Sequence, residues 1–450
     1  MTKELILGLD IGTSSVRAAL YDHAGNLLPK TLVKNERTLK ATADGGSEID
    51  ADKALRQVSA SIDEVLAKTG SIKGEVTHIA SCSFWHSLIG IDENGKATTP
   101  VFSWADNRSR NYVEVLRKTL DEPAIHNKTG ARFHSSFWPA KLLWLRNESP
   151  DIWKSTSQWL SLSDYIALRL CGDSATSISM ASGTGICDIR QCVWDAEMLR
   201  YLKVKPANLP LISETTSSLI PKFAKRWPLL KDSKWLPTIA DGAANNIGSG
   251  CVGGGKAALM IGTSGAMRVV SESGPPEQIP SGLWCYRVDR KRIIIGGALS
   301  DGGGLYEWLT ATLKLPKNAD LLIAKRKIGA HGLTFLPFLA GERSTGYDEN
   351  ATGAVSGLRT ATDAIDILQA GMEAVAYRFA EILRQLESVL TVNKIVASGG
   401  ALHASPVWTK MISSILGRDL TPSNVPEASM SGAVLLALET IGKIEIIDRI

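Results

Sequence analysis

One short pattern that occurs twice constrains this chain more than any other feature. "IGTS" stands at residues 11–14 and again at 261–264, first within "LGLDIGTSSVRAALYD" and then within "KAALMIGTSGAMRVVSE". Each copy reads as strand, tight turn, strand, with apolar and β-branched runs on both sides of a Gly-Thr-Ser turn. Four matching residues can coincide by chance, but the shared flanks favour an internal duplication, and with helical patterns after each copy they point to an α/β fold. The copies differ at a telling position, where Asp10 corresponds to Met260. A carboxylate inside an apolar strand costs roughly several kcal/mol unless a cation or donors compensate it. Something charged is therefore expected to meet the first turn.

Turns of small and hydroxyl residues let backbone N–H groups converge on an anion, and Thr and Ser hydroxyls add donors. Gly12, Thr13 and Ser14 in one copy and Gly262 and Thr263 in the other can thus grip a polyphosphate from two sides. Plain hairpin turns are the alternative. Asp10 beside the first turn suits Mg²⁺ held through water. Two other glycine patterns mislead. "GCVGGGK" (250–256) has the glycines and lysine of a P-loop, but Ala257 replaces the metal-binding hydroxyl and a strand follows where a helix should begin. Gly248, Gly250 and Gly253 spell G-x-G-x-x-G without a strand before or a helix after.

At 450 residues the chain suits two domains, divided here as 1–250 and 251–450. A net charge of +4, without a basic run interleaved with aromatics, excludes a nucleic-acid backbone as the expected partner. Six scattered cysteines show no zinc spacing and read as reduced thiols of a cytoplasmic protein. Lys3, Glu4 and Asp10 interrupt any signal-peptide core, and no apolar run is long enough to span a membrane. The sequons at Asn107, Asn127 and Asn147 are then chance matches.

The spacing predicts an antiparallel meander over Leu5–Leu32 and a helix from an Asp50 cap to Gly70. "VTHIASCSF" reads as a buried strand, followed by a Trp-rich mixed region to about residue 235. A long helix carries Leu368, Met372, Val375, Phe379, Ile382 and Leu386 on one stripe, and "KIVASGG" with two more helices closes the chain. In "IADGAANNIGSG", Asp241 precedes small residues that admit a ligand; it is either a helix N-cap or a catalytic carboxylate. "SFWHS" (83–87) and "SWADNRS" (103–109) end strands with aromatics beside polar groups, the mixture a sugar site needs. Each Trp can equally be a buried core residue.

These segments, with "FLPFLAGERS" and "SGGALHASPVWTKMISSILG", come in an order that resembles the FGGY family of carbohydrate kinases, most nearly those acting on gluconate. The resemblance implies two ribonuclease-H-like lobes of the actin, Hsp70 and hexokinase type, with ATP and sugar meeting in a central cleft. It implies Asp241 as catalytic base, Asp10 as the Mg²⁺-organising residue, Thr13, Ser14 and Arg17 at the first phosphate turn, and Gly262 and Thr263 at the second. It places Gly303, Gly400 and Ala404 at the nucleotide pocket and Trp85, His86, Trp104, Asp106 and Arg108 around the sugar. Ile239 and Ala240 replace the glycine and small polar residue common before the aspartate, and Trp85 replaces a common Met, which touches substrate choice. The resemblance leaves room for a homodimer. For a sugar acid, Arg108 or His86 is the expected carboxylate reader, unless Arg108 pairs with Asp106 and only shapes the wall. Xylulose or a polyol, a silent sugar or nucleotide sensor, and an actin-like structural ATPase are the competing readings.

Overall fold

A computed structural model describes residues 4–68, 74–423, 425–445 and 447. Two mixed sheets carry the duplication. The first is built from β1 (Glu4–Ile11), β2 (Ser15–Asp22), β3 (Val33–Glu36), β4 (Glu75–Ser83), β5 (Lys234–Trp235) and β6 (Ile239–Ala240). Its order is β3-β2-β1-β4-β5, with β6 also on β4; β1, β2 and β3 pair antiparallel, whereas β4 joins β1, β5 and β6 in parallel.

The second sheet contains β7 (Lys256–Ile261), β8 (Gly265–Ser271), β9 (Trp284–Arg287), β10 (Ile293–Leu299), β11 (Lys394–Ser398) and β12 (Leu420–Pro422) in the order β9-β10-β8-β7-β11-β12. Strands β10-β8-β7-β11-β12 repeat the directions of β3-β2-β1-β4-β5. The crossover helices correspond as well: Ala51–Ala67 precedes β4 and Ala364–Glu387 precedes β11. The Asp50 carboxylate caps the first of these at the Lys53 amide; the expected stop at Gly70 lies outside the described residues.

Strand β1 is central and covered on both faces, which is why it reads as an almost unbroken apolar run. Leu5, Leu7, Leu9 and Ile11 pack with Val58, Ile62 and Val65 of the crossover helix, and Ile6 on the opposite face packs with Met430 and Val434. The two-residue period puts Gly8 and Asp10 on the Ile6 face, toward the second half of the molecule.

Two expectations are corrected. The third strand of the meander starts at Val33, because the segment before it makes only an isolated bridge at Leu27. "KIVASGG" is followed by three helices, Gly400–Ala404, Pro406–Leu416 and Ala428–Thr440, and by the edge strand β12. The last helix packs against β1 and β4 of the first sheet and against helix Asp241–Gly248, so packing crosses the 250/251 division. Lys256 begins β7 and Gly262 follows its end, about 20 Å away at strand rise. Lys256→Ala is therefore expected to leave KM for ATP within about twofold of wild type; a loss of tenfold or more in steady-state kinetics would restore the P-loop reading. Among the described residues no helix is long and apolar enough to cross a membrane.

Candidate active site

Strand register brings Asp10 and Asp241 to one place. Asp10 lies opposite Cys82 across β1 and β4, and Cys82 lies opposite Ile239 across β4 and β6. Helix Asp241–Gly248 starts two residues after Ile239 with Ala240 at the N-cap, so Asp241 is the first helical residue and not the cap. Burial and the neighbouring Asp10 charge push the Asp241 carboxyl up to about 7, against the pull of Arg268 and the Gly242 amide. Arg268 reaches across from β8, and its Nη1 donates to the Gly242 carbonyl at 2.9 Å.

Asp10 is itself raised to about 6 by burial, opposed chiefly by Arg17. Its polar neighbours are the Cys82 thiol, which donates at 3.5 Å, and Arg17 Nη1 at 3.8 Å. Mg²⁺ in kinase sites usually takes one or two carboxylates and fills its remaining positions with water and phosphate. A weakly compensated, buried Asp10 fits that need, and no cluster of three metal-ligating side chains exists among the described residues. Arg17 is less free than expected: its Nη1 also donates to Glu427 at 3.0 Å, so Asp10 and Glu427 share this cation.

The two turns differ in length by one residue, since Ile11 pairs with Val16 in the first and Ile261 with Gly265 in the second. The Gly12 amide donates to the Ser15 carbonyl and the Gly262 amide to the Ser264 carbonyl, both at 3.0 Å. Ser14 and Thr263 are exposed, and Thr13 is half-buried. A Cβ at Gly262 or Gly400 would meet no protein atom within 4 Å, and neither residue has a positive φ. Packing does not require glycine at these two positions; a ligand filling the space would. Gly303 differs, since its Cβ would stand 2.5 Å from the Gly262 carbonyl oxygen and 2.9 Å from the Ala401 methyl. It seats helix Gly303–Thr312 against the second turn, beside helix Gly400–Ala404, whose end leaves Ala404 exposed.

The sugar-wall candidates divide into bracing and free groups. Trp85 is buried, its Nε1 donates to the Ser179 carbonyl at 2.9 Å, and its six-membered ring lies where a Gly242 Cβ would be. It braces the helix that carries Asp241. His86 has φ +68°, a left-handed conformation that costs about 1–3 kcal/mol for a non-glycine residue. Its Nδ1–H donates to the Gly183 carbonyl, which leaves Nε2 as an acceptor. Burial first, and then the nearby Arg343 charge, hold the ring well below the usual histidine range, so it is neutral. This removes His86 as a cationic reader of carboxylate.

Asp106 accepts from the Ser47 amide at 2.9 Å and from Arg108 Nε at 3.1 Å and Nη2 at 2.5 Å. Arg108 Nη1 is held by Glu48 at 2.9 Å, with the guanidinium beside the Phe102–Trp144 ring pair, 5.2 and 5.1 Å from the two centres. Arg108 therefore spends its fork on protein acids and shapes the wall, the alternative the sequence allowed. Trp104 is half-buried; its carbonyl accepts from Ser136 Oγ at 2.8 Å.

Sequence reasoning passed over three groups. Lys141, fully buried in helix Trp138–Glu148, donates from Nζ to the carbonyls of His86 at 3.2 Å, Ser103 at 2.7 Å and Ser136 at 2.8 Å. One ammonium thus ties three wall segments together, including the strained His86; a lysine in an apolar helix was the available signal. Arg268 and Arg343 both come from the second half of the chain, and nothing local marks which site they face.

Profiles of the FGGY family of carbohydrate kinases match the chain twice, the N-terminal domain over residues 5–227 and the C-terminal domain over 257–440. Gluconokinase of Bacillus subtilis is 29% identical over 99% of this chain and 89% of its own length. Xylulose kinase of Staphylococcus xylosus is 27% identical over 96% and 90%. Two Lactobacillus acidophilus crystal structures, one described as gluconate kinase and one as ligand-bound xylulose kinase, superpose with a TM-score of 0.91. Each is 28% identical and covers 99% of this chain and 91% of its own.

Proposed function

Because the chain belongs to the FGGY family of carbohydrate kinases, and so is an ATP-dependent phosphotransferase, we propose that its acceptor is D-gluconate, phosphorylated on the terminal 6-hydroxyl with Asp241 as general base. The observation that carries the proposal is the half-buried Asp241 carboxyl, brought beside Asp10 by strand register and raised to about 7. Similarity to the Bacillus gluconokinases over almost the whole chain supports the acid over a ketose. Xylulose is the second reading, favoured by the equal match to the structure described as xylulose kinase.

In this reading Asp241 accepts the proton of the attacking hydroxyl, and His86 Nε2 accepts a hydrogen bond from another hydroxyl of the acceptor. The amides and hydroxyls of Thr13, Ser14 and Thr263 hold the phosphates on turns that Gly12 and Gly262 shape through their own backbone bonds, while Gly400 and Ala404 line the nucleotide. Mg²⁺, organised by Asp10, supplies charge neutralisation when bound. The transition state of phosphoryl transfer is loose, so positioning and charge stabilisation dominate the acceleration.

An ADP-release assay over gluconate, xylulose, ribulose and glycerol tests the acceptor: gluconate is expected to show the highest kcat/KM, and faster turnover of xylulose would replace this reading with the second. Gly400→Ala tests the nucleotide pocket. It is expected to raise KM for ATP several-fold while leaving the melting temperature unchanged, since the added Cβ meets no protein atom within 4 Å. An unchanged KM would remove Gly400 from the pocket.

A further inference from the structure

A site for a sugar acid needs a donor set for its carboxylate, and the two residues expected to supply it do not. Arg108 is bound by Asp106 and Glu48. His86 is neutral and offers a lone pair. His134, on the same wall, is likewise held neutral by burial. Lys141 is buried and committed to three carbonyls, and Arg132 to Glu122 and the Ser281 carbonyl.

One cation on this wall is different. Arg343 stands with its Cζ 5.8 Å from the centre of the Trp104 ring, partly exposed, and among the described residues its guanidinium makes no hydrogen bond or ion pair to protein. Its charge reaches His86, His134 and Tyr286. A guanidinium over an indole face keeps its in-plane N–H groups free, and that fork matches a carboxylate bidentately.

The backbone that carries Arg343 is fixed. The Ser344 amide donates to the Ala298 carbonyl of β10 at 3.0 Å, and the Tyr347 amide donates to the Arg343 carbonyl at 2.7 Å. Arg117 Nη2 donates to the Tyr347 carbonyl at 2.9 Å, and Glu349 accepts from the Ser135 amide at 3.1 Å. This segment of the second half is thereby locked onto the sugar wall of the first. From Arg343 the wall runs through His86 to Trp85, whose ring abuts Gly242 next to Asp241. His86 and Trp85 thus stand between the free cation and the helix that carries the base, a separation that suits an open-chain acid whose reacting hydroxyl is remote from its carboxylate.

We propose that Arg343 binds the carboxylate of the acceptor and is the residue that selects an acid over a neutral sugar. The proposal rests on the sugar-acid reading above. The test compares wild type, Arg343→Gln, Arg343→Lys and Arg108→Gln on gluconate and on glucitol, the same chain with a CH₂OH in place of the carboxylate, with xylulose as a second neutral acceptor. Gluconate binding is also measured calorimetrically without ATP.

Arg343→Gln is expected to lower kcat/KM and affinity for gluconate by roughly 10- to 150-fold, with neutral acceptors changed less than about threefold. Arg343→Lys, which keeps the charge without the fork, should fall between. Because the guanidinium makes no hydrogen bond or ion pair to protein and only lies over the Trp104 ring, the melting temperature should move little, whereas Arg108→Gln should lower it and weaken all acceptors alike. Equal losses on acid and neutral acceptors in the Arg343 variants, or no loss, would overturn the proposal. Wild type that prefers another sugar acid, with selective loss in Arg343→Gln, would refute gluconate but retain Arg343. Wild type that turns over neutral sugars faster than any acid would overturn both, and does so before any substitution is made.

Discussion

Asp241→Asn is expected to lower kcat by about 10²- to 10⁴-fold, the usual contribution of a positioned base, while the protein stays folded. The substitution keeps the shape of the side chain and removes its ability to take a proton. The same carboxylate sets a pH dependence. It must be ionised to act, and its free-enzyme pKa is about 7. The kcat/KM for the acceptor should therefore fall about tenfold per pH unit below 7 and level off above it. The Asp10 charge is the second cause of the upward shift, after burial, so Asp10→Asn should move this limb to lower pH.

Stability should respond in the opposite sense to activity. With the folded pKa above the unfolded value of 3.8, the native state holds the proton more tightly, so stability falls as pH rises between the two values. At pH 8 the Asn variant should melt at or above the wild-type temperature. More than a third of wild-type kcat retained in Asp241→Asn, or an acid limb unchanged by that substitution, would remove Asp241 as the base.

The second large effect is structural. Helices Asp241–Gly248 and Ala428–Thr440 cross with their backbones in contact: a Cβ on Gly432 would lie 1.8 Å from the Ala244 carbonyl oxygen, and one on Gly248 would lie 1.8 Å from that of Ala428. No rotamer change relieves a clash with backbone, so even Gly432→Ala must push the helices apart. A loss of about 3 kcal/mol or more is expected, at or above the upper end of overpacking effects. Thermal unfolding should show a melting temperature lower by about 3 °C or more. Asp241 sits at the start of one of these helices, so kcat should fall as well. A variant that melts with wild type would mean that the crossing is looser than these contacts.

The sequence alone was enough for the duplication, because the strand-turn-strand pattern is local: the apolar runs of β1 and β7, and the Gly-Thr-Ser turns after them, need no distant partner to be read. It was also enough to mark Asp10 as anomalous, since a carboxylate in a two-sided apolar strand breaks the pattern wherever the strand lies. The long helix stripe from Leu368 to Leu386 was legible for the same reason. Pairing and facing were not local. Arg108 and Asp106 are two residues apart and were read as ligand contacts, yet Glu48, from another strand, completes an ion cluster that consumes them. Arg17 is claimed by Glu427, distant in sequence by almost the whole chain. Nothing near Lys141 in the sequence shows that the carbonyls of three separate residues converge on it. Whether a charged side chain is free for a ligand depends on every neighbour that folding brings within a few ångströms. Composition and spacing carry no record of those neighbours; only the tertiary structure decides that Arg108 is spent and Arg343 is not.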